Sequence, residues 1–315
     1  MDVTWASAVF FITELKPMTG WKQVSKSAFG DIMRESFFKN TVKTCCMVFC
    51  VLIAVHAFEA IVLRTDETVF GENFINKIFG IFVLWILLRI LKWKWSDIGL
   101  KKEGYVRNIA QGLSLAVVVF FVAYIIESFI LKAQGNTVQL GFFTMGFSLS
   151  GTTEIHQGVG FVLMCVFFNI INVIMEEGVF RGLFYELIRT DHTAKAALLV
   201  QSLLFGVWHI ATPLHNLIDG DLNIFGFIGL SVGYIILAGI MGIKWGLLYR
   251  MTGSLYMGMA DHFFNNCIAT NLLHLSTESG TDELMIIRVL IAQLLSFALV
   301  AVFWSRWKKT HQQSA

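Results

Sequence analysis

Two prolines in 315 residues and a charged share of 15% leave this chain short of what an ordinary soluble protein carries. Hydrophobic residues make up 56% of it, with 29 Phe and 9 Trp, the types favoured at lipid-facing and interfacial surfaces. The net charge is only +2, and its basic residues are scattered through short loops. No basic face or nucleic-acid module emerges, which excludes nucleic acid as a partner. The five cysteines, Cys45, Cys46, Cys50, Cys165 and Cys267, all sit inside apolar runs. They form neither a disulfide framework nor a closely spaced metal-ligand pattern. A cleavable signal is not expected, because the first long apolar run begins near residue 41, after a charged, amphipathic lead. Internal repeats, low-complexity segments and long interdomain linkers are also lacking.

What the chain does have is a series of apolar runs, each near the ~20 residues that a bilayer crossing needs. They cover Val42 to Leu63, Phe74 to Leu91, Ile109 to Leu131, Phe161 to Ile188, Ala194 to Ile210, Phe225 to Tyr249, Leu255 to Leu273 and Leu284 to Trp304. The expected fold is therefore all-α, a polytopic transmembrane helix bundle of about eight spans. Residues 1–40 read as a cytoplasmic or interfacial lead, 41–305 as the bundle and 306–315 as a cytoplasmic tail. The fourth run is longer than a crossing at about 1.5 Å per residue, so it should emerge or kink near Gly178 or Gly182. The fifth should stop before Thr212-Pro213. Glycines at three- and four-residue spacing in the sixth suit close backbone packing. Basic residues fall in alternate loops, including Lys92 to Lys102, Arg189 with Lys195, and Lys244 with Arg250. That alternation predicts that both termini are cytoplasmic.

The densest polarity at membrane depth lies in residues 169–181, which run from Asn169 through Asn172, Glu176 and Glu177 to Arg181. Ionisable groups at the bilayer centre cost roughly 2.5–3.5 kcal/mol each, so they pair, line a wet cavity or do chemistry. Glu177 and Arg181 are four apart in the favourable order for a helical ion pair. Glu176 is then left over, on one face with Asn169 and Asn172. That seam could simply glue helices together, but the cost of an unpaired carboxylate in lipid favours chemistry for Glu176. In the fifth span Gln201, Phe205 and His209 form one stripe, and in the seventh His262 and Asn266 share a face. Counting back from the short turn after the fourth span puts Glu176 and His209 each roughly 21–23 Å along, at matching depth. The same count places His262 shallower. A lone membrane histidine is most often a hydrogen-bonded core residue. Two of them with a spare Glu and an Asn supply a base, donors and room for water, the parts of a hydrolytic site. The other histidines, His56, His156, His192, His215, His274 and His311, read as structural or solvated.

The set Glu176-Glu177-x-x-x-Arg181, Phe205-x-x-x-His209 and His262-x-x-x-Asn266 resembles the three motifs of the CPBP (Abi) intramembrane proteases. That family includes the type II CAAX prenyl endopeptidases and bacteriocin-processing enzymes. Trp95-Ser96-Asp97-Ile98-Gly99-Leu100 is similar to the segment preceding the family's core helices, so the resemblance spans about 95–275. It implies that Glu176, with His209, activates a water, and that His262 and Asn266 stabilise the oxyanion. Glu177 and Arg181 would orient the fourth helix and Phe205 would pack beside His209. A second version makes Glu176, His209 and His262 zinc ligands; the metal-free version is favoured. The implied activity is cleavage of a membrane-embedded or lipidated peptide. The compact loops point to a multi-pass protein of a bacterial cell membrane, with the endoplasmic reticulum as the alternative location. The alternatives are a non-catalytic peptide-binding or immunity protein, and a transporter with Glu176 as proton relay. The transporter reading lacks the inverted repeats it would need.

Overall fold

The computed structural model describes residues 34–35, 37–68, 72–145 and 155–312. The expected N-terminal lead therefore falls, up to residue 33, outside the described residues. From there the chain is a helix bundle. Helix α1 (Thr41–Phe58) runs into a π-helical turn (Glu59–Leu63), and α2 (Ile75–Leu91) and α3 (Tyr105–Ala133) follow. Helix α4 (Val159–Glu176) passes through a π-helical stretch (Glu177–Phe184) into the short α5 (Tyr185–Ile188). After α6 (Ala194–Trp208) and α7 (Ala211–Ile218) come α8 (Ile224–Thr252), α9 (Tyr256–Phe263) with a π turn (Phe264–Ile268), and α10 (Met285–Gln312).

Local chemistry sets the helix ends. Asn40, Thr193 and Asn223 cap α1, α6 and α8 through side-chain oxygens that accept from Lys43, Ala196 and Gly226 backbone N–H groups. Helix α2 borrows its cap from another helix. The fully buried Glu59 carboxylate accepts from the N–H groups of Ile75 (2.8 Å) and Asn76 (2.6 Å) and from the Asn76 side chain (2.7 Å). The π turn that ends α1 aims Glu59 at the positive end of α2, satisfying donors the helix cannot satisfy itself.

Among the described residues, six helical stretches are long and apolar enough to cross a membrane: Thr41–Leu63, Tyr105–Ala133, Val159–Ile188, Ala194–Ile218, Ile224–Thr252 and Met285–Thr310. The expected second and seventh spans are occupied by shorter helices, α2 with 17 residues and α9 with 8. The fourth run does change form where expected: the π-helical stretch contains both Gly178 and Gly182. The fifth ends before Thr212-Pro213 as expected, but a further, unforeseen helix follows. Its helix breaks at His209-Ile210 and resumes as α7, with Pro213 in the first turn, where a missing N–H costs nothing. The loop 132–158 also differs, since its described part holds short strands. β1 (Gln139–Phe142) pairs antiparallel with β4 (Leu273–Ser276), and β2 (Thr144–Met145) with β3 (Ile155–His156).

Small residues let the helices approach. A Cβ on Gly246 of α8 would lie 2.3 Å from Leu198, and one on Gly206 of α6 would lie 2.6 Å from the Ile235 carbonyl. So part of the glycine pattern in α8 serves packing within the chain, while Gly229 and Gly233 have open space beside them. The tightest approach brings α3 onto α9: a Cβ on Gly112 would sit 2.2 Å from the Met257 carbonyl oxygen and 2.9 Å from Ala260. Gly112→Ala should therefore cost about 1–3 kcal/mol, the range for overpacking. It would be read as a lower Tm of the micelle-solubilised protein, with Gly233→Ala unchanged as the control.

Candidate active site

The π-helical stretch begins one residue after Glu176, so Glu176 and Glu177 project from the junction into the middle of the bundle. Extra-wide turns of this kind are frequent at functional positions. Glu176 is 3% exposed. It is not the unpaired carboxylate expected from the sequence: Lys77 Nζ on α2 donates to its Oε1 at 2.7 Å, and Trp208 Nε1 on α6 donates to the same oxygen at 3.0 Å. Its other oxygen, Oε2, accepts no hydrogen bond from the described residues, and His262 Nε2 lies 3.6 Å away. Lys77 itself sits over the Trp208 ring at 5.0 Å, and Trp208 packs on His56 with ring centroids 4.3 Å apart.

Glu177 faces the other way. Its Oε1 accepts from His262 Nδ1 at 2.9 Å and lies 3.4 Å from Arg181 Nη1, the ion pair that the four-residue spacing predicts. Arg181 is wholly buried, with its guanidinium 3.8 Å from the Phe205 ring centroid and 4.9 Å from that of Trp245. Aromatic faces therefore supply much of its solvation. Phe205 also packs edge-on to His209, at 4.8 Å between centroids, as its motif position implies. His209 closes α6; its Nδ1 donates to the Phe205 carbonyl at 2.9 Å, which leaves the lone pair on Nε2.

His262 lies at the level of the two glutamates rather than shallower. The depth count assumed that α9 starts level with the end of the fourth helix. Instead the turn Trp95–Ile98 wedges in: the Ile98 carbonyl lies 3.2 Å from where a Cβ on Gly182 would be, and Gly99 O accepts from Leu255 N at 3.1 Å. Leu255 thus starts near Gly182, so Glu176, six residues before Gly182, and His262, seven after Leu255, come to one depth.

Behind His262 lies a polar layer that sequence reasoning missed. The ring stacks on Trp245, with centroids 4.0 Å apart and planes 15° apart. Lys244, fully buried in α8, pairs with Asp261 and donates to Gln293 Oε1 of α10 at 2.6 Å. Gln293 Nε2 donates to Asn265 Oδ1 at 2.9 Å, Asn265 Nδ2 to Asn266 Oδ1 at 2.6 Å, and Asn266 Nδ2 meets His262 Nε2 at 3.1 Å. Lys244 is therefore not the loop cation assumed in the orientation count. Both Lys77 and Lys244 were detectable as ionisable residues within apolar runs. Of the remaining seam, Asn169 donates to the Cys165 carbonyl of its own helix at 2.9 Å, and Gln201 binds the Gly242 carbonyl at 3.1 Å.

Residues 158–268 match the family model described as type II CAAX prenyl endopeptidase Rce1-like. The match supports the CPBP family. It also supports a CAAX protease-type enzyme, and the six apolar helices fit a membrane protein. The matched region contains Glu176, Glu177, Arg181, Phe205, His209, His262 and Asn266, and leaves Lys77 and Gln293 outside. No curated protein matches the chain.

Among the described residues, the donor atoms that gather within 4.8 Å of one another belong to Glu67, His215 and Asp219, not to Glu176, His209 and His262. At that other cluster Arg64 already bridges Glu67 and Asp219, and its hydrogen bond holds the Asp219 carboxyl below the usual carboxylate range. Burial pushes the neighbouring Asp66 carboxyl up. These groups tie the turn after α1 to the end of α7. A further buried network at the β1–β4 end joins Arg288 to Glu127 (3.0 Å) and Asp282 (2.9 Å), and His274 to Asp282 (2.8 Å). The structural reading of His274 and His215 thus agrees with their partners.

Proposed function

We propose that the chain is an intramembrane endopeptidase that hydrolyses a peptide bond in or beside a membrane-embedded or lipidated substrate. The observation that carries this reading is the asymmetry of Glu176. Lys77 and Trp208 hold Oε1, while Oε2 is left without a protein donor, beside His262 Nε2. A carboxylate fixed by one oxygen and open at the other is arranged to take a proton from water. His209, with its Nε2 lone pair, assists, and its backbone-bound Nδ1 keeps the ring oriented. His262 and Asn266 are assigned to the oxyanion. His262 can donate there only after Nε2 has taken up a proton, and the Glu177 carboxylate at 2.9 Å would stabilise the imidazolium so formed.

The same geometry favours a metal-free glutamate mechanism. Lys77 sets a fixed positive charge 2.7 Å from Glu176 Oε1, which repels a second cation at the same carboxylate, and Asn266 engages the His262 nitrogen that zinc would bind. Prenylated CAAX-type peptides are one substrate class that the family match suggests. A bacterial cell membrane, with both termini cytoplasmic, is the location proposed from the short loops and basic alternation.

The test uses purified protein in micelles with a farnesylated peptide ending in a CAAX sequence, and an unlipidated transmembrane peptide beside it. Wild type is expected to cut at least one of the two and to keep its rate in EDTA. His209→Ala should lower kcat by about 10²-fold, the lower part of the range for acid–base groups. Equal cutting by wild type and His209→Ala would remove this site from the reaction, and loss in EDTA with recovery on added zinc would overturn the metal-free mechanism.

A further inference from the structure

The amide chain behind His262 has a direction. Lys244 is an ammonium and only donates, so Gln293 must present its carbonyl oxygen to it. Gln293 then has its NH2 left for Asn265 Oδ1, Asn265 its NH2 for Asn266 Oδ1, and Asn266 its NH2 for His262 Nε2. At the far end Glu177 is a carboxylate and only accepts, so His262 Nδ1 carries the proton there. The donor-only end and the acceptor-only end demand the same tautomer. Each link is buried or half-buried, where a reversed amide would leave two donors or two acceptors facing each other at considerable cost.

We propose that Gln293 is a positioning residue for the site: through Asn265 and Asn266 it fixes His262 as the Nδ1–H tautomer, with the Nε2 lone pair accepting from Asn266. Gln293 stands on α10, outside the CPBP match, and touches neither glutamate among its hydrogen bonds. The consequence for the resting site is that Glu176 Oε2 and His262 Nε2 are two acceptors 3.6 Å apart. The one Nε2 lone pair is already engaged by Asn266, so a water between them donates to Glu176 Oε2 alone, and His262 must exchange the Asn266 bond for a proton before it can donate. The tautomer does not depend on catalysis; this consequence rests on the proposed function.

The test reads the tautomer directly. Full-length protein labelled with 15N-histidine is studied in micelles by proton–nitrogen correlation, with the His262 signals identified by their loss in His262→Gln. At a pH where the ring is neutral, wild type should show a protonated Nδ1 and a bare, downfield Nε2; a protonated Nε2 there overturns the proposal. Gln293→Glu offers oxygen to both Lys244 and Asn265, which turns each later amide around and makes Asn266 present oxygen to His262. At the same pH the bare-nitrogen signal should then be lost, with both ring nitrogens protonated. Adding Asn265→Leu to Gln293→Glu keeps the new charge but cuts the chain, and the bare Nε2 should return. If it does not return, the added charge acts through space and the chain is not the cause. Cleavage assays are separate: if no variant or wild type cuts peptide while these spectra hold, the proposed function fails and the tautomer assignment stands.

Discussion

Glu176→Gln is expected to abolish turnover while leaving the bundle assembled. The substitution keeps the shape of the side chain, and the amide oxygen can still accept from Lys77 and Trp208 in place of Oε1. The NH2 then occupies the position of Oε2, beside the His262 Nε2 lone pair, so a donor replaces the proposed base. Removing a general base costs about 10²–10⁴-fold in rate, and kcat/KM on the peptide cut by wild type is the measurement. The fold is tested alongside, because Gln leaves the Lys77 ammonium without a counter-charge. Breaking a buried pair from one side costs about 3–5 kcal/mol, whereas replacing both partners is often nearly neutral. A lowered Tm in Glu176→Gln that recovers in Lys77→Met/Glu176→Gln, with neither variant active, would separate the catalytic role from the structural one. Activity retained in Glu176→Gln would show that Glu176 only pairs with Lys77.

The motif residues were legible because each violates the apolar pattern of its own helix. Glu176, Glu177 and Arg181 interrupt one hydrophobic run, and His209 and His262 interrupt two others. Residue spacing also predicted the Glu177–Arg181 pair, which needs only one helix. The partners that complete the site come from helices far away in sequence, and no local period encodes which lysine meets which carboxylate. Lys77 is 99 residues from Glu176, and Gln293 is 28 from Asn265. The error in the depth of His262 has the same origin. It depends on the Trp95–Ile98 turn lodging against Gly182, a contact between separate segments. Lys244 was misassigned because a lysine near the end of an apolar run counts as a loop charge until its buried partner Asp261 is known.

Arg181→Ala should be the most destabilising single change in the centre of the bundle. Lys77, Arg181 and Lys244 pair with Glu176, Glu177 and Asp261 there, each cation set against one carboxylate. In so dry a region that balance matters more than any one distance. Arg181 donates no hydrogen bond with good geometry among the described residues; Glu177 is 3.4 Å away, and the Phe205 and Trp245 faces hold the rest of the guanidinium. Alanine would remove both the counter-charge of Glu177 and the planar group between the rings. The expected cost is about 3–5 kcal/mol for a buried pair broken on one side, read as a large fall in Tm or failure to assemble. Arg181→Lys keeps the charge but not the flat, weakly hydrated surface, so it should recover only part of the loss. Arg181→Met keeps the volume without the charge, which leaves His262 as the remaining partner of Glu177. If Arg181→Met were as stable as wild type, stacking alone would be what Arg181 contributes. If Arg181→Lys were, the contribution would be charge.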